Sequence, residues 1–339
     1  MKCTKWFTEM ASNRDSTFDI FRALCALEII AFWHIFFYLP DEYSLTGINL
    51  EIGKYLTMIA LSGFSFMSGY MLRKYEFNNW SDVWIFFKKR FKRFYVLLFL
   101  SCFSLYAVGL IMHHPWFTDT KQFVFTLLGL NVFFPPLATT LWFFSMMIFF
   151  YLITPVIKAP RKVFLRVVLA FAILGLLLIL NKVSHADSNV LYYYPFYMLG
   201  LLLPHDIVEK IKRHRLVVLP SSLLCLSGAF AYTQVADNQL FNGGGYLIMA
   251  FGILFLISVS SLTAKNSALS KFFYFVSYAS MVAYLFHRQM FYVICALLGD
   301  EQNKLSLFMA FCVAVPVVFI VSYFIQKIYD RVIFKRTTH

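Results

Sequence analysis

Long apolar segments alternate with short, basic segments along almost the entire chain. A helix needs about 20 mostly apolar residues to cross the hydrocarbon core of a bilayer. Ten segments fit this requirement: 18–39, 52–72, 94–113, 141–157, 163–181, 189–204, 216–233, 245–263, 272–298 and 305–326. The pattern therefore predicts an all-α, polytopic integral membrane protein in which residues 1–339 form a single membrane-embedded domain.

Two further segments are apolar or amphipathic but do not fit a full span. The run Phe123–Phe134 is too short to cross, so we expect a half-helix or re-entrant piece over about 121–136. Residues 78–93 combine aromatic side chains such as Trp80 and Trp84 with a run of cations. This combination predicts an amphipathic helix in the cytoplasmic interface.

The composition supports lipid as the solvent of this chain. Of its 339 residues, 60% are hydrophobic and only 14% are charged, whereas soluble domains carry about 25% charged residues. The six cysteines show no spacing typical of a metal site or a disulfide framework, so we expect neither. The N-terminal segment is too polar for a cleavable signal peptide.

The distribution of cations predicts the orientation. With a cytoplasmic N-terminus, and with residues at span ends counted with the adjoining loop, 24 of the 30 Lys and Arg residues lie inside and four outside. Cytoplasmic loops are enriched in Lys and Arg, so both termini should be cytoplasmic. The net charge of +13 then reflects topology and anionic headgroups, and we expect no binding to nucleic acid.

Ionisable residues inside spans are costly, at about 2.5–3.5 kcal/mol each on insertion scales. They cluster in the first span, which holds Arg22, Glu28 and His34, and in the ninth, which holds His287 and Arg288. Structural explanations exist: Arg22 can snorkel, Glu28 can pair with a cation such as Arg288, and His34 can be a hydrogen-bonded core residue. A histidine in a protein-lined cavity can also take a proton from a hydroxyl group.

Six sequence motifs, in order, resemble those of the membrane-bound acyltransferase-3 family. They are Phe18-Asp19-Ile20-Phe21-Arg22-Ala23-Leu24 leading to His34, the Ser68-Gly69-Tyr70 end of the second span, Arg90-Phe91-Lys92-Arg93, Leu141-Trp142-Phe143-Phe144 with Tyr151 and Pro155, Tyr194–Gly200, and Ser277–His287. Each motif alone is weak, but together they cover nearly the whole chain.

The resemblance implies an O-acyltransferase of the plasma (inner) membrane. It implies acyl-CoA, most commonly acetyl-CoA, as the donor and a sugar or glycan as the acceptor. By the same resemblance, His34 is the general base or part of an acyl relay, and Glu28 orients His34 or pairs with Arg22. The implied donor-binding residues are Arg90, Arg93, Lys89 and Arg22. Cavity-lining residues would be Trp142, Tyr151, Tyr284, His287 and Arg288.

The spacing in the first span departs from the family pattern. The family places ten residues between the Arg and the His, which brings them to nearly one helix face. Eleven residues separate Arg22 from His34 here, which turns them about 120° apart on a regular helix. We therefore predict a π-bulge near Glu28 that returns both side chains to one cavity.

Two other functions use the same architecture. A glycan or lipid-linked sugar exporter would need an internal polar cavity, but we find none of the repeated halves typical of transporters. A non-catalytic scaffold of a glycan assembly complex would leave Arg22, Glu28 and His34 without a role. Dependence on a CoA thioester distinguishes acyl transfer from export, because an exporter should need neither a thioester donor nor Arg90 and Arg93.

Overall fold

A computed structural model describes residues 15–39, 45–113, 116–134, 137–138, 140–184, 186–204, 206–235, 243–298 and 308–333. Within these ranges the chain is helical and contains no strand. The helices are α1 Ser16–Leu27, α2 Gly47–Leu72, α3 Trp80–Ile111, α4 Thr120–Leu127, α5 Trp142–Lys158, α6 Val163–Ser184, α7 Ser188–Leu202, α8 Ile207–Arg213, α9 Arg215–Val235, α10 Gly243–Thr263, α11 Ser267–Leu298 and α12 Val315–Ile333. The fold is that of an all-α, multi-pass membrane protein.

Helices occupy each of the ten predicted spans. In the described part of the chain, eight helices are long and apolar enough to cross a membrane by length and composition. The other two are shorter: α5 has 17 residues and α7 has 15, against the roughly 17–25 of a typical span. Residues 305–307 of the tenth predicted span lie outside the described residues.

Residues 80–93 of the segment predicted as an interfacial helix do not form a helix of their own. They are the first half of α3, which runs for 32 residues without a break. Asn79 caps the N-terminus of α3 by accepting from the backbone N–H of Asp82 at 3.0 Å. The helix continues because no Pro interrupts it. Within the predicted re-entrant segment, the structure has the eight-residue helix α4.

Helix α1 lies at the centre of the bundle. It contacts α2, α10 and α11, and the side chains of Ile20, Phe21 and Ala23 are completely buried. By contrast, α6 and α9 have most of their hydrophobic surface exposed, as expected of helices that face lipid. The central position of α1 explains how a span can carry several ionisable residues, because protein rather than lipid surrounds them.

Helices α2 and α7 cross at very short range because each has a glycine at the crossing point. A Cβ atom on Gly69 would overlap the carbonyl oxygen of Tyr197, and a Cβ atom on Gly200 would overlap that of Phe66. Small residues allow such close approach between membrane helices. The two glycines belong to the second and fifth of the six motifs, so these motifs form one helix–helix contact.

Replacing either glycine should therefore destabilise the fold. We expect Gly69→Ala and Gly200→Ala each to lower the free energy of unfolding by about 1–3 kcal/mol, because a backbone carbonyl cannot move as easily as a side chain. Thermal unfolding of the protein in detergent measures this. Gly175→Ala is the matched control, since a Cβ atom there would have no neighbour within 4 Å apart from the adjacent backbone of its own helix. An equal effect at Gly175 would contradict the interpretation.

Candidate functional site

The first span changes its helical form at Glu28. The α-helix ends at Leu27, a π-helix follows from Glu28 to His34, and a short 3₁₀ segment continues to Tyr38. The π-helix begins where the extra residue between Arg22 and His34 predicted a bulge. Helix α2 supports it, because the Thr57 hydroxyl donates to Glu28 Oε1 at 2.9 Å and Trp33 packs against Gly53.

His34 and His287 form a buried pair. Nδ1 of His34 lies 2.7 Å from Nε2 of His287, and the rings stack with centroids 4.7 Å apart and planes inclined by 13°. His287 is completely buried and His34 is 8% exposed. This hydrogen bond therefore links the ionisable clusters of the first and ninth spans.

The surroundings of His287 determine which nitrogen of each ring carries a proton. Nδ1 of His287 lies 3.0 Å from the carbonyl oxygen of Ala283 and 2.9 Å from that of Tyr284. Carbonyl oxygens only accept, so this nitrogen must donate. In neutral imidazole the other nitrogen then accepts, so Nε2 of His287 accepts from Nδ1–H of His34. The remaining nitrogen, Nε2 of His34, has a free lone pair and can act as a base.

His34 lines a small cavity of about 210 Å³, which also contacts Thr57, Trp142, Tyr284 and Arg288. In this cavity Arg288 donates from Nε to the hydroxyl of Thr140, and its guanidinium lies 5.6 Å from the Phe37 ring centroid. A base and a cation therefore line the same small space, which suits chemistry in which a hydroxyl loses a proton and negative charge develops on a nearby oxygen.

Thr140 is held in an unusual conformation beside this cavity. Its φ of 69° lies in the left-handed region, which a β-branched residue rarely adopts. Its hydroxyl accepts the hydrogen bond from Arg288, and its backbone carbonyl oxygen accepts a second one from the Tyr284 hydroxyl at 3.3 Å. Strained residues held by several contacts are frequent at functional sites. The sequence interpretation missed Thr140, although it directly precedes the Leu141-Trp142-Phe143-Phe144 motif.

A larger cavity of about 490 Å³ lies beside the first. Its cationic lining residues are Arg22, Lys74, Arg90 and Arg93, and its aromatic residues include Tyr151. The guanidinium of Arg90 is 5.6–5.9 Å from the ring centroids of Tyr75, Phe86 and Tyr151. These cations make the cavity suited to an anionic group such as a phosphate.

Lys89 does not line this cavity and is exposed, because it points away from the face of α3 that carries Arg90 and Arg93. Lys74 takes its place among the cavity cations. The sequence did not identify Lys74 as a donor-binding residue, because Lys74 follows the second span and lies outside the basic run of residues 88–93.

The loop that carries Lys74 is fixed by an ion-pair network. Lys158 donates to the Arg73 carbonyl oxygen at 2.5 Å and to Glu76 Oε1 at 3.0 Å, and Arg166 pairs with Glu76 Oε2 at 2.9 Å. Burial raises the pKa of Glu76, but the hydrogen bonds from Lys158 and Arg166 outweigh it, so the pKa lies below its ordinary value. Glu76 therefore stays ionised at neutral pH and keeps the loop in place.

One face of α11 follows the path through both cavities. Ser277, Ser280 and Met281 line the large cavity, Tyr284 lines both, and Arg288 lines the small one. This spacing of three to four residues is one helix face. The Tyr284 ring packs against Phe143 and Phe144, both at 5.6 Å. Tyr284 is thus the partition at which the two cavities meet.

Arg22 and His34 line adjoining cavities rather than a single one. Arg22 contacts the large cavity and His34 the small one. The predicted π-helical insertion is present, but the expectation that it places both side chains in one cavity is wrong. The reason is their axial separation of roughly 18 Å on a regular helix, with Tyr284 between the two spaces.

The remaining predicted residues are distributed as follows. Trp142 and Arg288 line the small cavity, Tyr151 lines the large one, and His287 lies behind His34 without lining either. Glu28 Oε1 accepts a hydrogen bond from the Thr57 hydroxyl, while Glu28 Oε2 has no hydrogen-bond partner among the described residues. No cluster of three or more His, Cys, Asp or Glu residues that could hold a metal occurs in the described ranges.

Comparison with known families gives a match over most of the chain. A family described as "Acyltransferase domain" matches residues 15–327, which is most of the chain and includes all six motifs. Comparisons with curated proteins and with solved structures give no match.

Proposed function

The chain belongs to the acyltransferase-3 family, and from that premise we propose that it moves an acetyl group from cytoplasmic acetyl-CoA to a hydroxyl of a surface or lipid-linked glycan on the outer side of the plasma membrane. The orientation proposed with this function has both termini in the cytoplasm, as the distribution of Lys and Arg favours.

The observation that carries the proposal is the pair of adjoining cavities. The large one is lined by Arg22, Arg90 and Arg93, and the small one by His34. Donor and acceptor can thus approach from opposite sides and meet at Tyr284. On α11, Ser277 lies about 15 Å along the axis from His287, so an extended donor bound along this helix face would bring its thioester toward His34.

The cations of the large cavity fit the phosphates of a CoA donor. Arg90 and Arg93 lie one turn apart on α3, and Arg can donate two hydrogen bonds to one phosphate group. Lys74 adds positive charge from the neighbouring loop. The aromatic rings around Arg90 restrict its side chain, which reduces the entropy lost when it binds.

In the small cavity, Nε2 of His34 takes the proton of the acceptor hydroxyl while the hydroxyl oxygen attacks the thioester carbonyl carbon. The new C–O bond forms and the C–S bond breaks. The thiolate that leaves recovers the proton from His34, so that a thiol and an ester are produced. During the attack, the guanidinium of Arg288 stabilises the negative charge on the carbonyl oxygen.

A cell-based experiment tests the proposal as a whole. The gene is deleted, and the masses of the surface glycans are compared with and without it. We expect the glycans of the deletion strain to be lighter by the mass of one or more acetyl groups. Restoring the wild-type gene should restore that mass. Unchanged acylation, with the glycan missing from the surface, would instead favour export. Unchanged glycans in both amount and mass would contradict the proposal.

His287 should act as a positioning residue, because its Nε2 accepts the hydrogen bond from Nδ1–H of His34 and so leaves Nε2 of His34 free. His287→Phe removes this acceptor and should lower kcat by about 10–100-fold with little change in KM for the donor. His287→Gln retains an oxygen that can accept the same bond, so it should recover part of the activity.

Nitrogen NMR of the labelled His34 ring provides a second readout. The Nδ1–H form should dominate in the wild type and in His287→Gln, and lose its dominance in His287→Phe. If Gln and Phe lower kcat equally and the His34 tautomer is the same in all three proteins, His287 has only a packing role.

A further inference from the structure

One side of the large cavity, here called its wall, is lined by side chains that are not cationic and have no role in the proposed phosphate binding. Tyr278, on α11, and Gln326 and Asp330, on α12, form this wall and line the cavity together with the four cations. The carboxylate of Asp330 accepts from the Tyr278 hydroxyl at 2.6 Å and from Gln326 Nε2 at 2.9 Å. Both donors are neutral. A carboxylate repels phosphate, so this wall suits a part of the ligand that donates hydrogen bonds.

Gln326 supplies a second, independent sign of a ligand. Its side chain is only 4% exposed, and its amide nitrogen is already committed to Asp330. Its amide oxygen, Oε1, has no hydrogen-bond partner in the described part of the chain. Buried polar atoms without a partner are rare in folded proteins, and an N–H group of a bound ligand would satisfy this one.

Tyr278 adds an aromatic surface to the same wall. Its half-buried ring packs against Tyr323, with centroids 5.2 Å apart, and against Tyr274. Aromatic side chains of this kind stack on nucleobases. Tyr278 also precedes Tyr284 by six residues, about 9 Å along the helix axis. It therefore lies toward the end of the cavity that is remote from His34.

We infer that Tyr278, Gln326 and Asp330 form a subsite for the purine base of a nucleotide-bearing donor, in which the exocyclic amino group of the base donates to Asp330 and Gln326 Oε1. The inference rests on the proposed function, because it assigns the nucleotide end of the same donor. The phosphates then contact the cations of α3 and its preceding loop, and the acyl end extends toward Tyr284.

Binding measurements on the full-length protein in nanodiscs test this subsite. Three ligands are compared: CoA, etheno-CoA, in which the amino group of the base is closed into an extra ring and has no hydrogen to donate, and 4′-phosphopantetheine, which has no nucleotide. The wild type should bind CoA at least about tenfold more tightly than etheno-CoA, because etheno-CoA cannot form the hydrogen bonds to Asp330 and Gln326.

Gln326→Leu and Asp330→Asn should each reduce the preference for CoA over etheno-CoA, because each removes or weakens one of the two acceptors of the amino group. Gln326→Leu should leave the affinity for 4′-phosphopantetheine unchanged, while Asp330→Asn should leave it unchanged or raise it, because a negative charge is removed near the phosphates. Gln289→Leu is the matched control. Gln289 is equally buried, at 5% exposed, and also has an unpartnered amide oxygen, but it lines neither cavity.

The outcomes separate this inference from the proposed function. If both variants keep the wild-type preference for CoA, or if the wild type binds CoA and etheno-CoA equally, the base subsite is wrong while a CoA donor stands. If the wild type binds none of the three ligands, both the donor assignment and the subsite are wrong. A loss of preference in Gln289→Leu as well would also overturn the subsite, because the effect would then follow from any buried glutamine.

Discussion

His34→Ala should lower the rate of acyl transfer by about 10²–10⁴-fold, the usual contribution of a general base. The affinity for the donor should not change, because His34 lines the small cavity and not the one with the phosphate-binding cations. Transfer to a hydroxyl acceptor by the purified protein gives kcat, and direct CoA binding gives the donor affinity.

His214→Ala is the control for this prediction, since His214 is exposed and lies outside both cavities. Its activity should equal that of the wild type. Transfer at the wild-type rate by a folded His34→Ala protein would show that His34 is not the base. A large loss of CoA affinity in the same variant would contradict the separation of the two cavities.

Replacing both Arg90 and Arg93 by Ala should raise the Kd for CoA by well over tenfold. Each charge-assisted hydrogen bond contributes about 1.5–3 kcal/mol, and both side chains line the large cavity. The wild-type affinity should also fall as salt is added, because screening weakens partly exposed charges. The double variant should show a weaker dependence on salt. Titration of CoA at low and high ionic strength measures both effects.

The same basic run contains a matched control. Lys88 and Lys89 are exposed and do not line the cavity, so a Lys88→Ala, Lys89→Ala protein loses the same net charge from the same helix. Its Kd for CoA should rise only slightly. If the two double variants weaken CoA binding equally, general surface charge rather than a phosphate site attracts the donor.

The repeating apolar pattern was enough to predict the ten helical segments, because each segment must satisfy its own backbone hydrogen bonds in lipid. Local spacing also predicted the π-helix, since one extra residue between Arg22 and His34 changes the rotation of every residue after it. In both cases the signal is local: residues close in sequence determine it.

What the sequence could not predict depends on packing between distant residues. The His34–His287 bond joins positions 253 residues apart, and their separation follows from how α1 packs on α11. The strained Thr140 and the Asp330–Gln326 pair likewise acquire a role only once α11 is in place. The division of the site into two cavities depends on one ring, that of Tyr284, whose orientation no periodicity specifies.

The central claim is that donor and acceptor reach one site from opposite sides of the membrane. Sealed vesicles containing the purified protein in one orientation test it, with isotopically labelled acetyl-CoA on the side of Arg90 and Arg93 and an impermeant glycan acceptor on the other. We predict label on the acceptor as an ester that mild base releases, and none with His34→Ala. Transfer that occurs only when donor and acceptor share a side would contradict the account.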